Sequence, residues 1–460
     1  MRLPFFNRYE EVSRLRRLLS QKDGRLAVLY GRRRCGKSRL IQESLPQGDS
    51  VYYVADDRES SLQRAALAAE IARRLDGFDR VTYPDWDALF ARWWTAARPG
   101  MTLAIDEFPS LVAWVKEIPS ILQKYLDREP RRSPHLLLAG SAQRMMQGMI
   151  LGRSAPLFGR AAEILKIPPL RCFWIKKALG LAADVDAVEA YAVWGGVPRY
   201  WELAADYMNR EEAVRGLILS PLGVLHDEPS GLLLEDLKDI GLTASVLALI
   251  GRGCHRLSEI AARLEKPATS LGRPLQRMID LDILRRDLPY GHSSRDTKRT
   301  LYKIADPFLR FWFRYVEANR SRLQAGQVAQ VSRQIAATFS SHVGSVWEDL
   351  ARQSVSGHEY FGIMWKPASS WWGIGMDRNM MGIDVVAESE DGQNLLVGEA
   401  KWSGCKEPHR LRADLMEKAR NLPLAKGRRV FAALWLRDCP LRARDTEGIF
   451  TPSNVIPGLV

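Results

Sequence analysis

The sequence predicts a multidomain α/β protein, and three observations support this prediction. Within 1–169, five short apolar segments alternate with helix-forming sequence, which is typical of a parallel sheet between helices. A mostly helical stretch follows at 170–242. Within 336–460, apolar strand segments and a tight-turn signal return, which predicts a second α/β domain. The length of 460 residues fits two to four domains.

Composition narrows the class of protein. The hydrophobic content of 46% can supply real cores, while the net charge of +13 favours a polyanionic partner, DNA first. The 5 cysteines are scattered without a C-x-x-C pair, which indicates a reduced, cytoplasmic protein without structural zinc. We expect no signal peptide and no membrane association, because the amino terminus is charged early and no apolar run approaches a membrane span.

The most specific motif follows the first apolar segment, 26–30. Residues 31–38 fit G-x-x-x-x-G-K-[ST], the Walker A pattern, and helix-forming sequence continues after it. Between a strand and a helix, such a loop cradles phosphates with its backbone N–H groups. Lys37 is expected to reach the outer phosphates of ATP, and Ser38 to hold Mg²⁺. The expected nucleotide contacts are Gly31, Arg32, Arg33, Arg34, Cys35, Gly36, Lys37, Ser38 and Arg39.

Two acids end the third apolar segment, 101–105, which follows the second strand candidate at 51–54. Asp106 is expected to hold Mg²⁺ through water, and Glu107 to orient or deprotonate the water that attacks ATP. The glutamate favours hydrolysis over simple binding. Acids also begin helices often, so the pattern gains its meaning from the phosphate loop upstream.

Three further residues are weaker candidates for the nucleotide site. Ser141 follows the fourth segment, 136–140, and could contact the γ-phosphate or its water, cap the next helix, or do both. Arg160 precedes the fifth segment, 163–167, and is either a γ-phosphate sensor or arginine finger, or a surface arginine. Arg8, in an F-x-x-R-x-x-E-like amino-terminal segment, lies either against adenine or in a plain helix.

The helical stretch 170–242 is predicted to be a lid. Its Gly195-Gly196-Val197-Pro198-Arg199 segment indicates a turn between helices. Alternatively, Pro198 faces the adenine and Arg199 acts as a second phosphate sensor.

A winged helix is predicted at 243–305, with three helices followed by strands at 283–286 and 300–304. Ser258 is suited to cap the second helix, and Pro274 is awkward inside the third. The module either binds DNA or contacts a protein; basic residues and the net charge favour DNA. The residues expected to meet phosphates are Arg273, Arg277, Arg295, Lys298 and Arg299.

A connecting helical segment at 306–335 leads to a second possible chemistry at 336–460. Asp384 lies on one strand of a predicted hairpin, and Glu399 and Lys401 share one side of the returning strand. Two carboxylates and a lysine at one point can bind Mg²⁺ and activate water against a phosphodiester. Glu348, on the preceding helix, is a candidate third acid. The alternative is a solvated Glu/Lys ladder.

These residues together resemble a prokaryotic family called archaeal ATPases, near the AAA+ and STAND groups of P-loop ATPases. The resemblance covers nearly the whole chain. Members often end in a domain that resembles PD-(D/E)xK nucleases, matched here by Asp384, Glu399 and Lys401, although Ile383 replaces the usual proline. The segments that carry the resemblance are Phe6-Asn7-Arg8 with Glu11, 31–38, 105–107, 140–141, 157–160, 195–198, 302–306 and 311–313.

The resemblance implies a P-loop ATPase core (1–169), helical lid (170–242), winged helix (243–305), connecting segment (306–335) and restriction-endonuclease-like domain (336–460). The first hypothesis is an ATP-hydrolysing, DNA-associated protein coupled to a metal-dependent nuclease-like domain. The second is a nucleotide-dependent switch or scaffold whose nuclease-like fold is inactive, with a protein partner. A third is a winged-helix transcription regulator. A homo-oligomer, in which Arg160 would act within its own subunit or on a neighbour, is also compatible with the sequence.

Overall fold

The computed structural model describes residues 3–128, 133–150, 152, 155–236, 239–293, 299–444 and 446–459, and the side chains of 233–236 and 444 are left aside. The chain divides into two compact units. Pro4–Pro169 is called here the amino-terminal unit, and the unit that contains Leu170–Val460 is called the carboxy-terminal unit.

The amino-terminal unit is built on a five-stranded parallel sheet in the order β2-β3-β4-β1-β5, which confirms the predicted parallel core. The strands are β1 (Leu26–Tyr30), β2 (Ser50–Val54), β3 (Thr102–Asp106), β4 (His135–Gly140) and β5 (Ala161–Lys166). The three central strands are buried along their whole length, because helices cover both faces of the sheet. The helices are α1 (Tyr9–Leu19), α2 (Lys37–Ser44), α3 (Ser60–Ala72), α4 (Trp86–Ala96), α5 (Phe108–Trp114), α6 (Ile118–Leu126) and α7 (Gln143–Ile150).

The first part of the carboxy-terminal unit is helical, as the sequence predicts. Its helices are α8 (Cys172–Ala178), α9 (Asp184–Trp194), α10 (Pro198–Ala204), α11 (Arg210–Ala213) with the π-helix Val214–Leu219, and α12 (Glu228–Asp236).

Three helices and an antiparallel strand pair follow in the order expected of a winged helix. They are α13 (Ile240–Gly251), α14 (Leu257–Arg263), α15 (Ala268–Asp280), β6 (Leu284–Asp287) and β7 (Leu301–Ile304). The Ser258 prediction is wrong: α14 begins at Leu257, and Arg256 is the capping residue. Pro274 lies inside α15, rather than near the first turn.

A long helix connects to the last sheet. After α16 (Pro307–Tyr315), the 3-10 helix Glu317–Asn319 and α17 (Arg320–Gln324), α18 runs from Val328 to Val355. The predicted boundary between 335 and 336 therefore falls inside one continuous helix. The chain instead breaks at Gly326, whose positive φ of +76° ends the helical path of α17. Helix α18 then begins two residues later, at Val328.

The final sheet is mixed, in the order β10-β11-β12-β13-β14, with antiparallel pairing up to β12 and parallel pairing after it. Helix α18 packs on one face, where Trp347 bonds to the carbonyl of Trp435, and Leu415 of α19 joins Leu434 on the other. The elements are β8 (Glu359–Tyr360), β9 (Ile363–Met364), β10 (Ser369–Ile374), β11 (Met380–Glu388), β12 (Asn394–Gly404), α19 (Pro408–Arg420), the 3-10 helix Pro423–Ala425, β13 (Arg429–Asp438), α20 (Leu441–Arg444), β14 (Ile449–Phe450), α21 (Pro452–Val455) and the 3-10 helix Ile456–Gly458.

Candidate functional site

The predicted nucleotide residues of the amino-terminal unit meet at the carboxyl edge of its sheet. Strand β4 lies between β3 and β1. Ser141, which follows β4, is therefore flanked by Asp106 at the end of β3 and by the loop 31–38 after β1. In open α/β sheets this edge is where ligands bind, because the strand ends and the helix amino termini converge there.

The loop is shaped for an anion. Helix α2 begins at Lys37 with Gly36 as its capping residue, at φ +89°, and without a side-chain cap. A Cβ placed on Gly36 would meet nothing within 4 Å, so the space beside these N–H groups is open. A Cβ on Gly31 would instead lie 2.4 Å from the carbonyl oxygen of Ile167, so glycine is required for this close packing. An open, uncapped helix terminus fits the phosphates of a nucleotide.

The basic side chains of the loop region have protein contacts. The Lys37 ammonium donates to the carbonyl oxygens of Gly31 and Arg32, at 2.9 and 3.1 Å. Arg39 lies 4.0 Å from Glu43 and over the ring of Phe5. The loop therefore holds its central lysine through its own backbone.

A residue that the sequence analysis missed stands beside Asp106. The Tyr52 hydroxyl, on the neighbouring strand β2, donates to Asp106 Oδ2 at 2.8 Å. Burial raises the pKa of Tyr52, and the Asp106 carboxylate raises it further. Tyr52 thus remains a neutral donor that holds the Asp106 carboxylate, one of the groups predicted to hold magnesium.

Glu107 and Ser141 form the most specific contact of the site. The Ser141 hydroxyl donates to Glu107 Oε2 at 2.9 Å, and the Ser141 backbone N–H lies 3.3 Å from the same oxygen. Glu107 adopts the left-handed conformation, with φ +49°, which aims its carboxylate back toward β4. Helix α7 begins at Gln143, so Ser141 is not the residue directly before it. The hydroxyl positions the carboxylate predicted to act on water.

Two further predicted residues of this unit are held by contacts outside the loop 31–38. Arg8 is 5% exposed, and its guanidinium donates to Glu11 and to the carbonyl of Pro168, so it fixes the start of α1. Arg160 precedes β5 and forms a bidentate pair with Asp127, at 2.7 and 2.9 Å. Because β5 is parallel to β1, Arg160 lies at the edge of the sheet opposite the phosphate loop. Its predicted role as a γ-phosphate sensor within its own chain therefore does not match this position.

Pro198 and Arg199 belong to the carboxy-terminal unit. Pro198 is the first residue of α10, a position that suits proline because the missing N–H has no helical partner there. Arg199 pairs with Glu202 at 3.0 Å. Their predicted contacts with adenine and phosphate stay predictions.

A second candidate site lies on the β11–β12 hairpin of the carboxy-terminal unit. Asp384 Oδ2 accepts a hydrogen bond from the Ala400 N–H at 3.0 Å, across the two strands. Lys401 and Lys418 approach opposite oxygens of Glu399, at 3.0 and 3.7 Å. The hairpin thus brings together the two acids and the lysine predicted from the sequence.

Glu348 of α18 joins this group electrostatically. Burial raises the pKa of Glu348 to about 7, and the charge of Asp384 adds to this shift. Burial likewise raises the pKa of Asp384, and Glu399 contributes. Among the described residues, no three His, Cys, Asp or Glu side chains converge closely enough to hold a metal ion. The predicted three-acid metal site is therefore not formed as a closed set of ligands.

Comparison with known protein families matches two segments of the chain. Residues 5–203 match a family model described as an ATPase domain predominantly from Archaea. The amino-terminal unit and the helices that follow it, up to 203, are thus similar to an ATPase domain. Residues 312–412 match a second model, described as archaeal and bacterial proteins of unknown function. This second match spans the α18 helix and the β11–β12 hairpin but assigns no chemistry to them.

The similarity to individual proteins extends beyond the segments matched by the family models. An uncharacterized protein of Methanocaldococcus jannaschii is 26% identical over 411 residues, which cover 88% of each chain. The Walker-type ATPase of Pyrococcus abyssi shares the fold, with a TM-score of 0.52, 18% identity, and coverage of 67% of this chain and 96% of that chain. The Aeropyrum pernix ORC2 protein, solved in ADPNP–ADP complexes, has a TM-score of 0.42 and is 16% identical, with coverage of 73% of this chain and 97% of that chain.

None of the helices in the described ranges is both long and apolar enough to cross a bilayer.

Proposed function

We propose that the chain binds ATP with Mg²⁺ at the loop 31–38 and hydrolyses it. The observation that carries this proposal is the hydrogen bond from Ser141 to Glu107, beside Asp106 and the open amino terminus of α2. This arrangement supplies an anion cradle, a carboxylate for the metal and a positioned base at one sheet edge. The family match of residues 5–203 supports it.

Each residue has a distinct role in this proposal. Lys37 leaves its carbonyl partners to bind the outer phosphates, and Ser38 and Asp106 hold the metal, which supplies charge neutralisation on the phosphate oxygens. Glu107 accepts the proton of the attacking water, while Ser141 keeps its carboxylate oriented. Most of the rate enhancement comes from positioning and electrostatics, since phosphoryl transfer needs little covalent chemistry from the protein.

The test of the loop is nucleotide affinity in Lys37→Ala, measured by calorimetric titration with ATP and Mg²⁺. We expect binding to be lost, because the charge that neutralises the outer phosphates is removed. Lys116→Ala, which removes an exposed lysine of the same unit, is the matched control and should bind like wild type. Unchanged affinity in Lys37→Ala would remove the loop assignment.

A second candidate function is metal-dependent cleavage of phosphodiesters at the hairpin site. The specific observation in its favour is the coupling of Asp384 to both Glu399 and Glu348, next to Lys401. Asp384 and Glu399 would bind Mg²⁺, Glu348 would have to move closer to join them, and Lys401 would stabilise charge on the scissile phosphate. The test is cleavage of plasmid and linear DNA by wild type and by Asp384→Ala, with the exposed Asp414→Ala as control. Absence of cleavage in wild type would favour a nucleotide-dependent switch or scaffold that acts on a protein partner.

DNA association is the third part of the proposal. Arg273 and Arg277 are exposed on α15, opposite the buried Leu271, Leu275 and Met278, as expected for a recognition helix. Arg299 lies 3.2 Å from His292, whereas Arg295 and Lys298 lie outside the described residues. A sequence-specific footprint without cleavage would indicate a transcription regulator instead. A homo-oligomer in which Arg160 reaches a neighbour's nucleotide would agree with its position.

A further inference from the structure

A cleft with several basic side chains lies in the carboxy-terminal unit, apart from α15. It is called here the basic cleft, and it has a volume of about 760 Å³. Its walls come from the end of α13, from β7, and from α16 and α18. The residues that define it are Arg252, Lys303, Arg310, Arg314, Thr338 and Glu348.

The charge of the basic cleft favours an anion. Four of its lining side chains are Lys or Arg, and Glu348 is the one carboxylate among the described lining residues. His255 also lines the cleft, but burial lowers its pKa, so it adds a neutral hydrogen-bonding group. A cavity with walls of one charge concentrates the opposite charge of a ligand.

Two of the four cations are already used by the fold. Lys303 pairs with Asp287 at 3.2 Å, and Arg310 pairs with the buried Asp349 at 2.9 Å. These pairs fix the walls of the cleft.

The other two cations are available to a ligand. Arg252 is exposed and, within the part of the chain that the structure describes, its guanidinium makes no hydrogen bond or ion pair. Arg314 has a long contact of 3.4 Å to the Ser341 hydroxyl and lies over the Tyr315 ring. Both guanidinium groups can therefore bind phosphate oxygens without breaking a buried ion pair.

The volume of the basic cleft distinguishes a single strand from a duplex as the source of the phosphate. A volume of about 760 Å³ lies within the range of about 300–1,000 Å³ that is usual for small-ligand sites. A short stretch of an unpaired strand enters such a cleft, whereas a duplex does not. The Gln334 amide lines the same cleft and can bond to sugar or base, whereas the Thr338 and Ser345 hydroxyls already donate to the carbonyl oxygens of Gln334 and His342.

We propose that the basic cleft binds a phosphate-bearing nucleotide unit, with Arg252 and Arg314 on the phosphate, and that a single nucleic-acid strand supplies it. The proposal rests on the DNA association proposed above and adds a single-strand site to it. Glu348 lines the cleft and is coupled to Asp384, so a strand held here would lie beside the hairpin site. The proposal does not require that site to cut.

The experiment measures binding of a fluorescein-labelled dT 12-mer to the full chain by fluorescence anisotropy, over a series of salt concentrations. The test variant is Arg252→Ala/Arg314→Ala. The matched control is Lys426→Ala/Arg442→Ala, which removes two exposed positive charges outside the cleft lining. Arg252→Lys/Arg314→Lys retains the charges and shows whether the site survives substitution.

The proposal predicts that the test variant binds the 12-mer at least about tenfold more weakly, because two charge-assisted contacts are lost. The slope of log affinity against log salt should fall by about 1.4, since each phosphate contact on a single strand contributes about 0.7. The control and the lysine variant should keep most of the affinity. Equal losses in test and control variants would overturn the proposal.

A second arm separates the sources of the phosphate. Thymidine 5′-monophosphate is titrated against the same variants by calorimetry. The mononucleotide could bind in a way that depends on Arg252 and Arg314 while the same substitutions leave binding of the 12-mer unchanged. This result would contradict the proposal that a strand supplies the phosphate and would assign the cleft to a free nucleotide. If wild type binds duplex DNA but neither probe, the cleft proposal fails while the winged-helix proposal stands. If it binds none of the three, both fail.

Discussion

At the residue scale, the account depends on the pair Glu107 and Ser141. A left-handed conformation costs a non-glycine residue about 1–2 kcal/mol. Glu107 adopts it with φ +49°, and its carboxylate thereby meets the Ser141 hydroxyl at 2.9 Å. Strain of this kind persists where the surrounding structure holds it, and it is concentrated at functional sites.

Removal of the Ser141 hydroxyl should separate catalysis from binding. In Ser141→Ala, we expect ATP turnover to fall about 10- to 100-fold, since a poorly oriented base loses much of the usual general-base contribution. ATP affinity should stay within a few fold, because the loop 31–38 is untouched. Turnover is measured by phosphate release, with the exposed Thr95→Ala as control. Wild-type turnover in Ser141→Ala would contradict the role of the hydroxyl.

Gly140 shows how closely this edge of the sheet is packed. A Cβ at Gly140 would lie 2.4 Å from Pro109 Cδ at the start of α5, whereas a Cβ at Gly148 in α7 would meet nothing within 4 Å. Gly140→Ala should therefore lower the free energy of unfolding by about 1–3 kcal/mol. Gly148→Ala should be neutral or raise it by up to about 1 kcal/mol.

Urea denaturation of the two variants checks this difference. The pair is matched because each substitution adds one methyl group near the same site. Equal stability of the two variants would show that Pro109 moves aside freely.

The sequence predicted most residues that meet at the candidate nucleotide site but could not find Tyr52. Residues 51–54 look like any buried strand, and the contact with Asp106 arises only from the pairing of β2 with β3. The position of Arg160, in contrast, could have been predicted from the sequence. The phosphate loop follows its strand and Arg160 precedes its strand, so parallel pairing places them at opposite edges.

At the element scale, α18 combines roles that the sequence assigned to separate regions. Asp349 on this helix binds Arg285 of β6 and Arg310 of α16, at 2.5 and 2.9 Å, and also Arg352. Burial alone would raise the pKa of Asp349, but the three arginines outweigh it and hold the pKa well below its usual range. Helical periodicity runs through 335 unbroken, so only the tertiary contacts show that α18 serves several elements at once.

His342 on α18 predicts a pH dependence of stability. Burial is the largest cause that lowers the pKa of His342, and with the charges of Arg310 and Arg314 it brings the pKa to about 3. The Ala192 carbonyl, which accepts a hydrogen bond from His342 Nε2 at 2.9 Å, acts in the opposite direction. The pKa of His342 in the folded state is depressed below the ordinary value of 6.5. Neutral His342 therefore makes its full contribution to the free energy of unfolding above pH 6.5, and this contribution is lost as the pH falls toward 3.

Between pH 6.5 and 5.0, this residue should remove about 2 kcal/mol from the free energy of unfolding. His342→Gln removes this titration, so the free energy of unfolding of the variant should fall less steeply as the pH is lowered. The slope of the variant should be smaller than that of wild type by about 1.4 kcal/mol per pH unit. The exposed His409→Gln is the control and should keep the wild-type slope. Urea denaturation at several pH values checks the slopes, and identical slopes in all three proteins would show that His342 becomes protonated without unfolding.

At the scale of the whole molecule, a domain similar to ATPases and a second compact unit share one chain. The net charge of +13 suits a nucleic-acid partner, and the proposed DNA contacts all lie in the carboxy-terminal unit. We expect DNA affinity to fall steeply with salt, because phosphate contacts release counterions. A flat salt dependence, measured by anisotropy, would argue against phosphate contacts as the main source of affinity.

The central claim is that Glu107 acts on the water that attacks ATP. The most direct measurement compares wild type and Glu107→Gln for ATP binding and for steady-state phosphate release in the presence of Mg²⁺. The account predicts that Glu107→Gln binds ATP like wild type and loses nearly all turnover, because glutamine cannot accept the proton. Normal turnover in Glu107→Gln would contradict the account, whatever its affinity for ATP.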